Sequence, residues 1–391
     1  MNLSAPCLAC FDNVDRFIER EYIDSGRLAG AHLAISHRGS LHEACFGHLD
    51  RERSRPMPPD ALFRIYSMTK PITSMAFMML VEEGLIGLED PVARYIPAWS
   101  NLSLQGDRAS SRAMRIADLL SHTFGLTYGI QYRTEIDALY RKALSMKPDG
   151  QTLEELVVAL GRIPLEFDPG TVWNYSVPTD VLAYLIEKVS GRSFHQFLRQ
   201  RLLDPLGMTD TDFWVPASKR GRLAECYVHR ADELLGLPGS SFEGDHGAHP
   251  TFLSGGGGLM STVKDYLSFC NVILNHGRSG NLRLLSRKTL QMMSSNHLPR
   301  GADLSTAAQG LFADASYAGI GFGLGWATTI CGGIGFSCSG VSRTACIRRC
   351  RSTRSGVTRI DPSIGSTSVT GGSWSATCGL SSATIPRSSR R

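Results

Sequence analysis

The stretch FRIYSMTKPITSMAFMML, residues 63–80, places a hydroxyl and an ammonium three residues apart, Ser67 and Lys70. Residues three apart share a face only if a helix carries them. Pro71 lacks an N–H and fits the first turn of a helix, where donors have no partners anyway. Ile72, Met75, Phe77, Met78, Met79, Leu80 and Val81 then recur at helical spacing until Gly84. The spacing predicts a helix from Ser67 or Met68 to Gly84, with Ser67 at its N-terminus and Lys70 one turn on. Ser74, Phe77 and Val81 continue their face, so Lys70 is at least partly desolvated, which lowers the pKa of a lysine. A weak nucleophile, an adjacent base and the positive end of a helix are the parts that covalent catalysis at a serine needs.

Ser-x-x-Lys is a short pattern, and about one chance match is expected in a chain of this composition. Ser261-Thr262-Val263-Lys264 is a second copy. There Thr262 reads as an N-cap and Asp265 as a first-turn carboxylate. Val263, Tyr266, Leu267, Cys270 and Ile273 form the buried stripe, which leaves Lys264 in solvent and Ser261 structural.

The elements around Ser67 read as a mixed fold. Residues 8–25 suggest a helix with Phe11, Val14, Phe17 and Ile18 inward. Ala31–Ser36 and Leu41–Phe46 read as a hairpin around residues 37–40. Helices are expected within 115–126, a short one ending near His122 to Gly125, at 152–165 with a glycine stop, at Pro178–Ser190 ending on Gly191, and at Ser193–Leu203. Asp168-Pro169-Gly170 sets a turn, SGGGGLM (254–260) lets backbone approach something closely, and residues 319–327 return to strand character. From Ser337 to Arg391 there is no Lys, no Glu, one Asp and nine Arg, with poor hydrophobic periodicity. That stretch reads as a disordered tail or a shifted reading frame.

The 391 residues suffice for one or two domains, and 42% hydrophobic and 20% charged residues are ordinary for a globular protein. The net charge of +5 is concentrated near the C-terminus, and no basic helix face carries interleaved aromatics, so no nucleic-acid partner is expected. No secretory leader and no stretch of 18 apolar residues is seen, so a cytoplasmic location without a membrane partner is expected. Cys7 and Cys10 form a lone Cys-x-x-Cys. Cys45, Cys226 and Cys270 read as buried thiols, so neither metal nor disulfides are expected. Oligomeric state is not legible.

Ser67-Met68-Thr69-Lys70-Pro71-Ile72-Thr73 resembles the serine β-lactamase-like superfamily, which includes class C β-lactamases, D-Ala-D-Ala carboxypeptidases and β-lactamase-type carboxylesterases. GLIGLEDPVARYIP, ADLLSHTFGL, FDPGTVWNYSVPTDVLAYLIEKVSG, LLDPLGMTDTDF, SGGGGLMSTVKDYLSF and GFGLGW continue the likeness in order, from about Gly30 to Ala327. The resemblance implies an α+β, β-lactamase-like fold. An antiparallel sheet domain, residues 1–66 and 312–391, carries terminal helices, and a large helical domain, 67–311, is inserted, with the cleft at their junction. It makes Tyr175-Ser176-Val177 the second motif, so Tyr175 joins Ser67 and Lys70 as a catalytic residue. A phenol beside an ammonium has a lowered pKa and can take and return the serine proton. Where β-lactamases carry Asn, Val177 offers no hydrogen bond, as in many carboxylesterases of the group. Gly256 and Gly257 are expected to line the cleft, with Trp326 and, less directly, Tyr132 at the acyl pocket. His122 reads as structural.

A third motif is expected at 330–345, where Cys331-Gly332-Gly333 is the nearest candidate and Thr370-Gly371-Gly372 lies too late. The implied function is a serine carboxylesterase acting on small-molecule esters through an acyl-enzyme, without cofactor. Short acyl chains are expected because no long apolar lid is visible. The alternatives are a β-lactamase or D-amino-acid peptidase, and a catalytically inactive scaffold of the same fold.

Overall fold

The structure, a computed structural model, describes residues 8–37, 40–106, 108–130, 132–144, 150–230, 233–236, 248–309, 317–330, 335–339 and 343–348. Its helices in chain order are α1 (Leu8–Ile18), α2 (Thr69–Glu82), α3 (Ile116–Leu120), α4 (Glu135–Ala143), α5 (Leu153–Leu160), α6 (Pro178–Ser190), α7 (Phe194–Leu198), α8 (Val263–Leu274), α9 (Arg287–Met293) and α10 (Leu304–Ala307).

The helix expected after Ser67 is α2, and it is the centre of the molecule. Every residue from Thr69 to Leu80 is buried, not only one face. The reason is tertiary: α6 and α7 pack on α2 and share its core through Ile72, Met75, Phe77, Val181, Leu182 and Phe197. The turn of the hairpin 320–329 closes another side. Gly325, at φ 110°, lies so close that a Cβ there would stand 2.4 Å from Ser74 Oγ, so glycine is required on both backbone and steric grounds.

Local signals set the other helix ends. Thr262, Ser193 and Thr152 each accept a hydrogen bond from the amide three residues on, and Gly191 ends α6 in the left-handed conformation at φ 69°. The first helix is shorter than expected: α1 stops at Ile18 and continues as a wider turn over Glu19–Ile23.

Strands Gly30–His37 and Ser40–Gly47 form the expected antiparallel hairpin, in register from Gly30↔Gly47 to His37↔Ser40. Its inner strand packs on α8. Cys226 and Cys270 are buried, but Cys45 is exposed. It alternates onto the outer face with Leu41 and Glu43, a periodicity of two that an apolar neighbourhood in sequence does not reveal.

A second antiparallel sheet joins Ile320–Phe322, Ala327–Thr329, Gly335–Ser339 and Arg343–Arg348 in chain order. Its last two strands run into the stretch that sequence periodicity left unassigned, so residues 337–339 and 343–348 are paired backbone rather than tail. Residues 349–391 lie outside the described residues. The two sheets share no ladder among the described residues.

A two-residue pair, Phe63↔Ser261 and Arg64↔Met260, ties the chain just before Ser67 to the chain just after the glycine-rich turn. No helix among the described residues is long and apolar enough to cross a membrane.

Candidate active site

Ser67 sits in a tight turn, Tyr66–Met68, that runs straight into α2. Tyr66 takes a left-handed φ of 42°, an uncommon conformation for a tyrosine and a local strain immediately before the hydroxyl. The pairing of residues 63–64 and a bond from Ile65 N–H to Leu259 O, 3.0 Å, hold the turn from below. Ser67 is half-buried at the positive end of a buried helix.

Lys70 is almost wholly buried, 3% exposed. Its Nζ donates to Ser67 Oγ at 3.2 Å and to the Gly256 carbonyl at 2.6 Å. It also stands 4.8 Å from the centroid of the Tyr175 ring and 5.4 Å from that of Tyr128. The helical spacing of Ser67 and Lys70 thus becomes a direct contact.

The Gly256 carbonyl is itself held in place. Gly256 N–H donates to Asp180 Oδ1 at 2.9 Å, the Ser254 hydroxyl donates to the same oxygen at 2.7 Å, and Thr73 of α2 donates to Gly255 O at 2.8 Å. A Cβ at Gly256 would come within 2.7 Å of Asp180 Oδ2. The close approach read from SGGGGLM is therefore backbone against a buried carboxyl. Burial pushes the Asp180 carboxyl up, against the pull of the Ser254 hydroxyl, the Lys70 charge and the Gly256 amide. Asp180→Ala should orphan the Gly256 N–H and loosen the carbonyl that anchors Lys70. We expect a loss of about 1–3 kcal/mol in unfolding free energy together with a fall in turnover, and smaller losses in Asp180→Asn, which keeps an acceptor. Denaturant melts and ester kinetics on the two variants check this.

Tyr175 lies three residues before the first residue of α6, on the loop 173–177. Its ring stacks on His122 at 5.0 Å and 25°, with Tyr128 at 5.7 Å on another side. The loop is pinned by Trp173 N–H to Ala307 O, 2.9 Å, and by the Asn174 side chain, which reaches Leu126 O and Glu166. Ser67, Lys70, Tyr175 and Gly256 are thus brought together.

Gly257 lies over the Tyr66 backbone, 3.8 Å from where its Cβ would be, and unlike Gly255 and Gly256 it has room for a side chain. Val177 and Trp326 are wholly buried in the main core, Val177 as the residue that precedes the first turn of α6. Tyr132 is 73% exposed and lies under the Arg141 guanidinium, out on the surface. Ser261 is buried with its hydroxyl bonded to Thr211, and Lys264 is exposed, so the second Ser-x-x-Lys brings no pair together. Strand Gly335–Ser339 runs beside the Tyr66–Met68 turn, inside the span expected for the third motif. Cys331-Gly332-Gly333 and Thr370-Gly371-Gly372 lie outside the described residues.

One aromatic neighbour escaped the sequence reading. Tyr128 shares the Lys70 ammonium with Tyr175, and its phenol is pushed well above the ordinary range by burial, with Tyr175 and Asp180 adding to it. Only its place shortly after HTFGL could have marked it. His122, read as structural, stacks on Tyr175. Among the described residues no group of three His, Cys, Asp or Glu side chains could hold a metal ion. The arrangement can deprotonate a hydroxyl, hold the resulting charge beside a cation and a helix N-terminus, and return the proton through a phenol.

A family model described as Beta-lactamase matches residues 16–363. Protein Rv1367c of Mycobacterium tuberculosis is 36% identical over 288 residues, 71% of this chain and 70% of that protein. Esterase EstB of Burkholderia gladioli is 35% identical over 191 residues, 48% of this chain and 47% of EstB. The structure of EstCE1, described as a hydrolase with promiscuous acyltransferase activity, superposes with a TM-score of 0.69 at 27% identity, covering 83% of this chain and 84% of that one.

Proposed function

The chain belongs to the Beta-lactamase family, the serine β-lactamase-like superfamily of hydrolases that includes esterases, and on that premise we propose that it is a carboxylesterase cleaving short-chain acyl esters through an acyl-enzyme on Ser67. The observation that supports this most is the Lys70 ammonium, set between Ser67 Oγ and the Tyr175 ring and anchored on the Gly256 carbonyl.

In this reading Ser67 Oγ attacks the ester carbonyl while its proton passes to the Lys70–Tyr175 pair, which acts as the base in the form that carries one proton fewer. The oxyanion is met by the Ser67 N–H and by a second backbone N–H beside it. Collapse breaks the carbonyl–alkoxy bond, and the alcohol leaves with the proton returned to it. Water then repeats the attack on the acyl group, releases the acid and restores Ser67.

The preference for an ester over an amide rests on the resemblance, in which an apolar residue at the Val177 position goes with the carboxylesterases; Val177 itself is wholly buried in the core and does not meet substrate directly. We expect p-nitrophenyl acetate or butyrate to be turned over with a kcat/KM at least about 100-fold above that for nitrocefin or a D-Ala-D-Ala peptide. Comparable or higher turnover of the β-lactam or the peptide would replace the esterase reading with the amidase one. Inertness toward all three would favour a scaffold.

A further inference from the structure

His122 does more than fill space behind the site. It directly follows the short turn that ends α3, is 1% exposed, and takes a left-handed φ of 58°, which is costly for a residue other than glycine unless the surroundings demand it. The surroundings do: Thr123 N–H bonds back to Asp118 O at 3.0 Å, and Asp118 in turn is gripped by both Arg112 Nη atoms at 2.8 Å.

From this position His122 makes three contacts with the segment 174–176, one of them with Tyr175 itself. Its carbonyl accepts the Asn174 N–H at 3.0 Å, and its Nδ1 accepts the Ser176 N–H at 3.4 Å. These are the residues on either side of Tyr175. Between the two bonds its imidazole lies against the Tyr175 ring, 5.0 Å between centroids and 25° from parallel, and is braced from the edge by Phe322 at 5.3 Å and 89°.

We infer that His122 is a positioning residue for the acid–base step: it grips both peptide neighbours of Tyr175, backs the ring, and so sets where the phenol stands beside Lys70. This rests on the reading of Tyr175 as the proton-transfer group. The acceptor role requires an unprotonated Nδ1, with the proton on Nε2. Burial and, after it, the positive charge of Lys70 hold the imidazole well below its ordinary range, so the ring stays an acceptor. The titratable groups around it are Lys70 from α2, Tyr175 against its face, and Tyr128 beyond Tyr175. Trp173 and Phe322 complete the wall.

The test is a double-mutant cycle between His122→Asn and Tyr175→Phe, read as kcat and KM for p-nitrophenyl acetate. Asparagine tolerates the left-handed backbone and places an acceptor near that of Nδ1, but removes the ring. In the Tyr175 background we expect kcat to fall about 10- to 100-fold with KM changed less than about threefold. In the Tyr175→Phe background the same substitution should change kcat less than about twofold. Phe322→Leu, which removes the edge brace, should give the same pattern more weakly, and it carries the test if His122→Asn does not fold. An equal fall in both backgrounds would overturn the inference, because His122 would then act on the site generally. So would unchanged kcat in the Tyr175 background. Wild-type turnover by Tyr175→Phe alone would remove the role of Tyr175 itself, and the inference with it.

Discussion

Replacing Ser67 with alanine is expected to lower kcat for p-nitrophenyl butyrate by at least about 10³-fold and to leave the melting temperature nearly unchanged. Both halves follow from the geometry. The hydroxyl is half-buried and its contact with Lys70 is 3.2 Å, so its removal opens no core cavity and orphans no buried donor, since Lys70 keeps the Gly256 carbonyl. Substitutions of that kind stay within about 0.5 kcal/mol. The second Ser-x-x-Lys gives the opposite pattern and serves as the control. Ser261 is fully buried with its hydroxyl bonded to Thr211 at 2.8 Å. Ser261→Ala should cost about 1–2 kcal/mol of stability and leave kcat within about twofold. Matched thermal melts and steady-state kinetics of the two alanine variants separate a nucleophile from a structural serine.

Lys70→Met should be nearly as damaging to turnover, again about 10³-fold or more, because it removes the nitrogen that shares the proton transfer between Ser67 and Tyr175. Its effect on stability is expected to be small. A buried ammonium carries a desolvation cost that methionine, of similar length, does not. Against that relief stand the loss of the 2.6 Å bond to Gly256 O and of two ring contacts, at 4.8 and 5.4 Å. We expect these to balance to within about 2 kcal/mol of either sign. Large loss of activity with retained stability is what a group kept for chemistry shows. A lysine kept for structure would show the reverse.

What could be read in the chain was what local rules govern. The helix after Ser67, the cap at Thr262, the helix start at Ser193, the glycine stop at Gly191 and the hairpin of strands Gly30–His37 and Ser40–Gly47 each depend on a few neighbouring residues, and each was legible to within a turn or so. Ser67 and Lys70 belong to this class, because three residues on one helix fix their separation. Tyr175 needed family resemblance, since nothing local says that a tyrosine on a loop more than a hundred residues away faces that lysine.

The rest of the site is long-range and has no periodic signature. Gly256 meets Lys70 from 186 residues away and Asp180 from 76. Asp180 sits inside α6, where an acidic residue near a helix N-terminus already has an ordinary explanation. Tyr128 and His122 follow α3 in a turn whose shape depends on Asp118 and Arg112, not on the aromatic residues themselves. Cys45 misled for the same reason: its strand alternates, and which face is covered is decided by what packs on it. The strands at 335–339 and 343–348 were obscured by their own composition, rich in Ser, Thr, Arg and Gly, because their order comes from pairing, 335–339 with Ala327–Thr329 and 343–348 with 335–339, and not from a periodicity of their own.

The central claim is that Ser67 is a nucleophile with a working oxyanion site. Intact-mass measurement of the purified protein before and after a small p-nitrophenyl alkylphosphonate tests it most directly, with Ser67→Ala alongside. The expected result is one phosphonyl group per chain, located on the peptide that contains Ser67 and absent from Ser67→Ala. An unmodified wild-type protein, or the same adduct formed equally fast in Ser67→Ala, would contradict it.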